Sequence, residues 1–125
     1  MKLKVLKIAL ATAALPFCSM ADVKPVRLFR DNMVIQRETQ APVWGTADSG
    51  EQVTVTGSWG ESASAVTGKD GKWSVKLQTP AAGGPHTIAF KGKNSIEVKN
   101  VLSGEVWLCS GQSNMDYRLN NLIPK

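Results

Sequence analysis

Ser113 is the residue in this sequence best placed to do chemistry. It stands in "GEVWLCSGQSNMDYRLNNLIPK", residues 104–125, where an apolar run gives way to a polar, glycine-marked turn. A nucleophilic serine is well presented on a sharp turn between a sheet strand and a helix. Its hydroxyl stands clear there, and backbone N–H groups at the helix start can stabilise an oxyanion. Gly111 permits such a turn, and Gln112 and Asn114 bring polar groups to either side of the serine. The pattern is not the Gly-x-Ser-x-Gly elbow, because Met115 occupies the place of the second glycine. Serines in strand-to-helix turns are also common helix caps, so both roles stay open on chemistry alone.

Other reactive residues are few. His86 is the single histidine and follows Gly83-Gly84-Pro85 in what reads as a turn, upstream of the serine block. Cys109 lies among apolar neighbours and reads as a small buried hydrophobe rather than a reactive thiol. Cys109 has no partner at metal-ligand spacing, and no Gly-Lys-Ser/Thr or dinucleotide loop is present; neither metal nor cofactor is expected. Trp44, Trp59 and Trp73 can fill a small core or stack on sugar rings. Trp59, flanked by Gly57, Ser58 and Gly60, is the one that suits a binding role.

Lys2, Lys4 and Lys7 precede residues 8–17, which are apolar except for Thr12, and Ser19-Met20-Ala21 follows with small residues at the two recognition positions. This is the layout of a secretory signal over residues 1–21. Its apolar core is too short to span a bilayer, so a secreted or periplasmic protein without a membrane anchor is expected. Bulky Phe17 before Cys18 speaks against lipidation. Cleavage would remove three lysines and no acid, lowering the net charge from +5 to +2. No cluster of Lys and Arg remains to bind nucleic acid. Cys109 would be left alone, without a disulfide framework.

Residues 22–102 read as a β-sandwich-like domain. Val53 and Val55 alternate with Thr54 and Thr56, and Trp73, Val75 and Leu77 alternate with Lys72, Ser74 and Lys76. Such a period of two is that of half-buried strands. Val26 and Leu28, residues 33–35, Val43-Trp44, Ile88 with Phe90, and Ile96 with Val98 add further strands. Turns are expected at Asp31-Asn32, Asp48-Ser49-Gly50, Asp70-Gly71 and Gly83-Gly84-Pro85. Short strands at this spacing favour a sandwich or small barrel.

The rhythm changes near Val101. Residues 106–109 form an apolar run without alternation, which predicts a strand buried on both faces, as in a parallel sheet. A helix start is expected from Asn114, with Asp116 in its first turn and Leu119, Leu122 and Ile123 on one face before Pro124. The fold class expected is therefore mainly β: a sandwich-like domain, then, over residues 103–125, the first strand and helix start of an incomplete α/β domain.

"SGEVWLCSGQSNM" resembles the nucleophile block of the sialate O-acetylesterase family, within the SGNH hydrolase group. "LFRDNMVIQRETQAPVWGTADSGEQVTVTGSWG" and "DGKWSVKLQTPAAGGPHTIAF" are similar to the same family in order and spacing. The resemblance implies an N-terminal β-sandwich-like domain and an SGNH-type hydrolase domain whose first strand delivers Ser113 as nucleophile. Gly111, Gln112 and Asn114 correspond to the flanking block. It implies metal-free hydrolysis of O-acetyl esters on sialic acids or related sugars. The family's oxyanion-hole glycine and asparagine, and its aspartate and histidine, come from later blocks that are absent from these residues, and His86 does not replace them. The chain is thus expected to be an inactive N-terminal fragment of such an esterase, lacking its C-terminal catalytic region. The alternative is a secreted, non-catalytic β-sandwich module that binds carbohydrate or a partner.

Overall fold

The computed structural model describes residues 22–112. The signal segment, Ser113, Asn114 and the expected helix start lie outside the described residues. Eight strands follow in chain order: β1 (Lys24–Pro25), β2 (Val34–Gln36), β3 (Gln40–Thr46), β4 (Gln52–Gly57), β5 (Ser62–Val66), β6 (Lys72–Gln78), β7 (Gly83–Lys91) and β8 (Ser95–Gly104). They form two sheets, one ordered β1-β3-β6 and the other β2-β8-β7-β4-β5. The chain passes repeatedly between the sheets.

Alternation decides which residues face inward. In β3, Ala41, Val43 and Gly45 are buried while Pro42 and Trp44 face out, and in β6 Trp73, Val75 and Leu77 are buried. The opposing sheet contributes Val53, Val55, Ile88, Phe90, Val98 and Val101 to the same core. A Cβ on Gly45 would run into the Lys24 carbonyl and the Trp73 ring, so glycine lets β1 and Trp73 close on β3. The Asp48–Gly50 and Asp70–Gly71 turns form as expected, with Gly50 at φ 80° and Gly71 at φ 74°.

Two local expectations are corrected. Val26 and Leu28 do not continue a strand. Residues 27–29 turn, Leu28 faces solvent, and Phe29 enters the core instead. Gly83-Gly84-Pro85 is not a reversal but the bulged start of β7, with Gly83 at φ 153° and Gly84 at φ 131°. Glycines at such angles let a strand kink without leaving the sheet. Trp59, the tryptophan that suits a binding role, is half-buried. Its ring lies on Gly57, and its Nε1 donates to the Gln78 carbonyl at 2.8 Å, closing the β4–β5 loop onto β6.

The larger correction concerns the fold class. The described residues are all β, with no helix and no α/β layer among them. β8 continues past residue 102 to Gly104, and residues 105–112 then carry no regular structure. The expected strand at residues 106–109 is absent for a physical reason. β2 ends at Gln36 opposite Gly104, and β7 begins at Gly83 opposite Ser103. Beyond Gly104 no neighbouring strand remains among the described residues to receive the backbone N–H and C=O groups. Trp107 is consequently 82% and Leu108 95% exposed, and Cys109 is exposed rather than buried.

Candidate functional site

The segment leading to the serine leaves the domain at a defined point. β2 pairs in parallel with the end of β8, bringing Gln36 and Arg37 beside Glu105. Gln36 Nε2 donates to Glu105 Oε2 at 3.0 Å, and Arg37 Nε donates to Oε1 at 2.8 Å. Gln36 Oε1 accepts the Val106 N–H at 2.8 Å. Gln36 therefore donates to one residue and accepts from the next, which fixes the direction of the chain at Val106. These hydrogen bonds, Gln36 first and Arg37 second, hold the Glu105 carboxyl below the usual glutamate pKa.

Past Val106 the chain is exposed as far as Gln112. Gly111 and Gln112 lie in this exposed stretch, while Ser113 and Asn114 fall outside the described residues. Among the described residues the single histidine, His86, is not beside Gly111 or Gln112. His86 pairs opposite Val101 within the sheet, and its ring meets the Trp59 ring edge-on at 5.3 Å. Its Nε2 is enclosed without a hydrogen-bond partner, so this histidine is packed rather than presented to a substrate. Among the described residues no group of three or more histidines, cysteines and acids is placed to hold a metal ion. No helix among the described residues is long and apolar enough to cross a membrane.

Sequence reasoning missed a groove beside this exit. It holds about 440 Å³ and is walled by Leu28, Met33, Val34, Trp44 and Val106. Trp44, 39% exposed, is held by an edge-to-face contact with Phe29 at 5.3 Å. The signal was present in β3: with Ala41 and Val43 facing in, position 44 must face out. The Gln36–Arg37–Glu105 cluster had no such signal, because its members are far apart in sequence.

No protein-family profile matches the chain. Individual proteins do. The chain is 38% identical over 94 residues to sialate O-acetylesterase of Rattus norvegicus, covering 66% of this chain and 17% of that protein. With the Homo sapiens sialate O-acetylesterase the identity is 36% over 96 residues, 68% of this chain and 18% of that protein. Among solved structures, a carbohydrate acetylesterase from Xanthomonas citri superposes with a TM-score of 0.69 at 34% identity, over 77% of this chain and 22% of that one. These matches establish homology to sialate O-acetylesterases and carbohydrate acetylesterases at moderate identity over roughly 70% of the chain. The chain spans less than a fifth of the length of the curated relatives it matches.

Proposed function

We propose that this chain serves in an exported carbohydrate O-acetylesterase of the SGNH group that removes O-acetyl groups from sialic acids or related sugars. The observation that carries the reading is the 34–38% identity to sialate O-acetylesterases and to a carbohydrate acetylesterase. The agreement of the fold with the Xanthomonas citri enzyme supports it further. The lysine-led, apolar N-terminus supports export to the periplasm or the cell exterior.

In this reading Ser113 Oγ attacks the acetyl carbonyl carbon, the bond from that carbon to the sugar oxygen breaks, and water then releases acetate from the acetyl-serine. Gly111, Gln112 and Asn114 shape the turn around the nucleophile. A serine needs an adjacent base to take its proton. The one histidine here is packed against Trp59, so the base and its orienting carboxylate belong to polypeptide other than these 125 residues. The chain alone is inactive on this account.

The test places residues 22–125 of this chain in the Xanthomonas citri enzyme, in exchange for the matching region. The chimera is treated with a serine-directed fluorophosphonate, and the labelled peptide is mapped by mass spectrometry. The reading expects the adduct on Ser113. An adduct on another serine, with Ser113 unmodified, overturns it.

A further inference from the structure

The outer face of the three-stranded sheet is uneven in composition. Residues opposite one another on antiparallel strands share a face. One row across this sheet is Lys24, Thr46 and Lys72, and the next sets Trp44 opposite Ser74. All five are exposed. Lys76 lies one row further, opposite Pro42. The outward positions of β1, β3 and β6 thus carry three lysines and no acid.

Shape and unused hydrogen-bonding capacity both mark a ligand site here. Trp44, Thr46, Asp70, Lys72 and Ser74 line a hollow of about 390 Å³, within the ~300–1,000 Å³ of small-molecule sites. The Trp44 ring is held in place by its edge-to-face contact with Phe29. Two strand spacings put Lys24 and Lys72 roughly 10 Å apart at Cα, with Trp44 roughly 7 Å further along β3. This is a platform on the scale of a sugar ring.

On the outer face of the other sheet, hydroxyls pair with one another: Thr54 with Ser64 at 2.9 Å, and Thr56 with Ser62 at 3.1 Å. Around Trp44 they do not. Among the described residues the side chains of Thr46 and Ser74 make no hydrogen bond, and Lys24, Lys72 and Lys76 make no ion pair. Asp70, the one acid at the hollow, already accepts the Lys72 N–H at 3.2 Å within its own turn.

An indole ringed by free hydroxyls and ammonium groups suits a ligand with an apolar face, a hydroxyl rim and a negative charge. A sugar ring supplies the first two, its C–H groups forming the apolar face. A carboxylate on the ring supplies the third and takes charge-assisted hydrogen bonds from lysine. We propose that the outer face of β1, β3 and β6 binds an acidic sugar. Its ring stacks on Trp44, its hydroxyls meet Thr46 and Ser74, and its carboxylate sits between Lys24 and Lys72. No covalent step belongs to this site, which stands apart from Ser113.

An NMR titration of the whole chain tests the proposal. The acidic probes are glucuronic acid and N-acetylneuraminic acid. Glucose offers a ring without the carboxylate, and acetate the carboxylate without a ring. The Trp44 indole N–H signal is assigned through Trp44→Phe, and that of buried Trp73 serves as a core reference. Saturable shifts of the Trp44 indole and of the Thr46 and Ser74 amides are expected with an acidic sugar, at about the millimolar concentrations usual for so small a ligand. Trp73 should stay in place. Replacing both lysines, Lys24→Gln with Lys72→Gln, should weaken binding at least about tenfold, and added salt should weaken it as well. Both lysines are exposed, so the core is left intact.

An unmoved Trp44 signal with both acidic sugars would overturn the proposal. So would an equal response to glucose or to acetate, or undiminished binding by the double lysine variant. Shifts that follow protein concentration would put a second copy of the chain on this face and overturn it too. The readout is binding rather than acetate release, so its failure is distinct from failure of the esterase reading.

Discussion

Arg37 Nε donates to Glu105 Oε1 at 2.8 Å, joining residues 68 positions apart at the point where the chain leaves the sandwich. Gln36 donates to the same carboxylate and accepts from Val106, so the charge at residue 105 is linked to the Val106 amide through one side chain. The carboxyl is held below the usual glutamate value. Its contribution is therefore fully present above that usual value and is lost as pH falls through the lowered one. We expect protection of the Val106 amide against hydrogen exchange to fall on acidification. Glu105→Gln keeps one acceptor but removes the charge, so the ratio of exchange rates, variant over wild type, should approach one at acid pH and exceed one near neutrality. A ratio independent of pH would contradict the arrangement.

Limited proteolysis reads the same boundary. Trp107 and Leu108 are exposed and carry no ladder hydrogen bonds, so chymotrypsin should cut there first and leave the sandwich through Val106 intact. Open, unpaired segments are the usual sites of nicking. Cleavage inside β3 or β6 at a comparable rate would show that the sandwich is not the stable unit.

Trp73 supports the core from β6, packed against Phe90 with ring centroids 6.1 Å apart. Trp73→Ala should cost about 3–5 kcal/mol in a denaturant melt, the range for emptying a core aromatic site. Its indole N–H is buried without a partner. Trp73→Phe removes that unsatisfied donor along with some volume, so its loss should be clearly smaller. Equal losses from the two variants would mean that the indole ring system, not simply an aromatic filler, is needed there.

Much of the sandwich was legible because burial on one face imposes a period of two. Val53 with Val55, and Trp73 with Val75 and Leu77, stand inward as their alternation requires. What failed was information that no local pattern holds. Phe29 enters the core from a turn, so no periodic neighbour marks it. Residues 106–109 read as a doubly buried strand on hydrophobicity, but a strand needs partners, and both neighbours of β8 end where it does. Val34 pairs with Leu102 in parallel, a crossover that hydropathy cannot specify. Ser113, singled out by resemblance, lies outside the described residues, whereas the Gln36–Arg37–Glu105 cluster is a product of that crossover alone.

The central claim is that this chain supplies the nucleophile, but not the base, of a carbohydrate O-acetylesterase. Acetate release from an O-acetylated sialic acid, measured on four proteins, tests it most directly. The four are the chain and its chimera with the Xanthomonas citri enzyme, each with and without Ser113→Ala. The account predicts turnover by the chimera alone, falling by at least about a thousandfold when Ser113 is replaced. It predicts none by the chain of 125 residues in either form. Serine-dependent turnover by the chain alone, or a Ser113→Ala chimera as active as its parent, would contradict it.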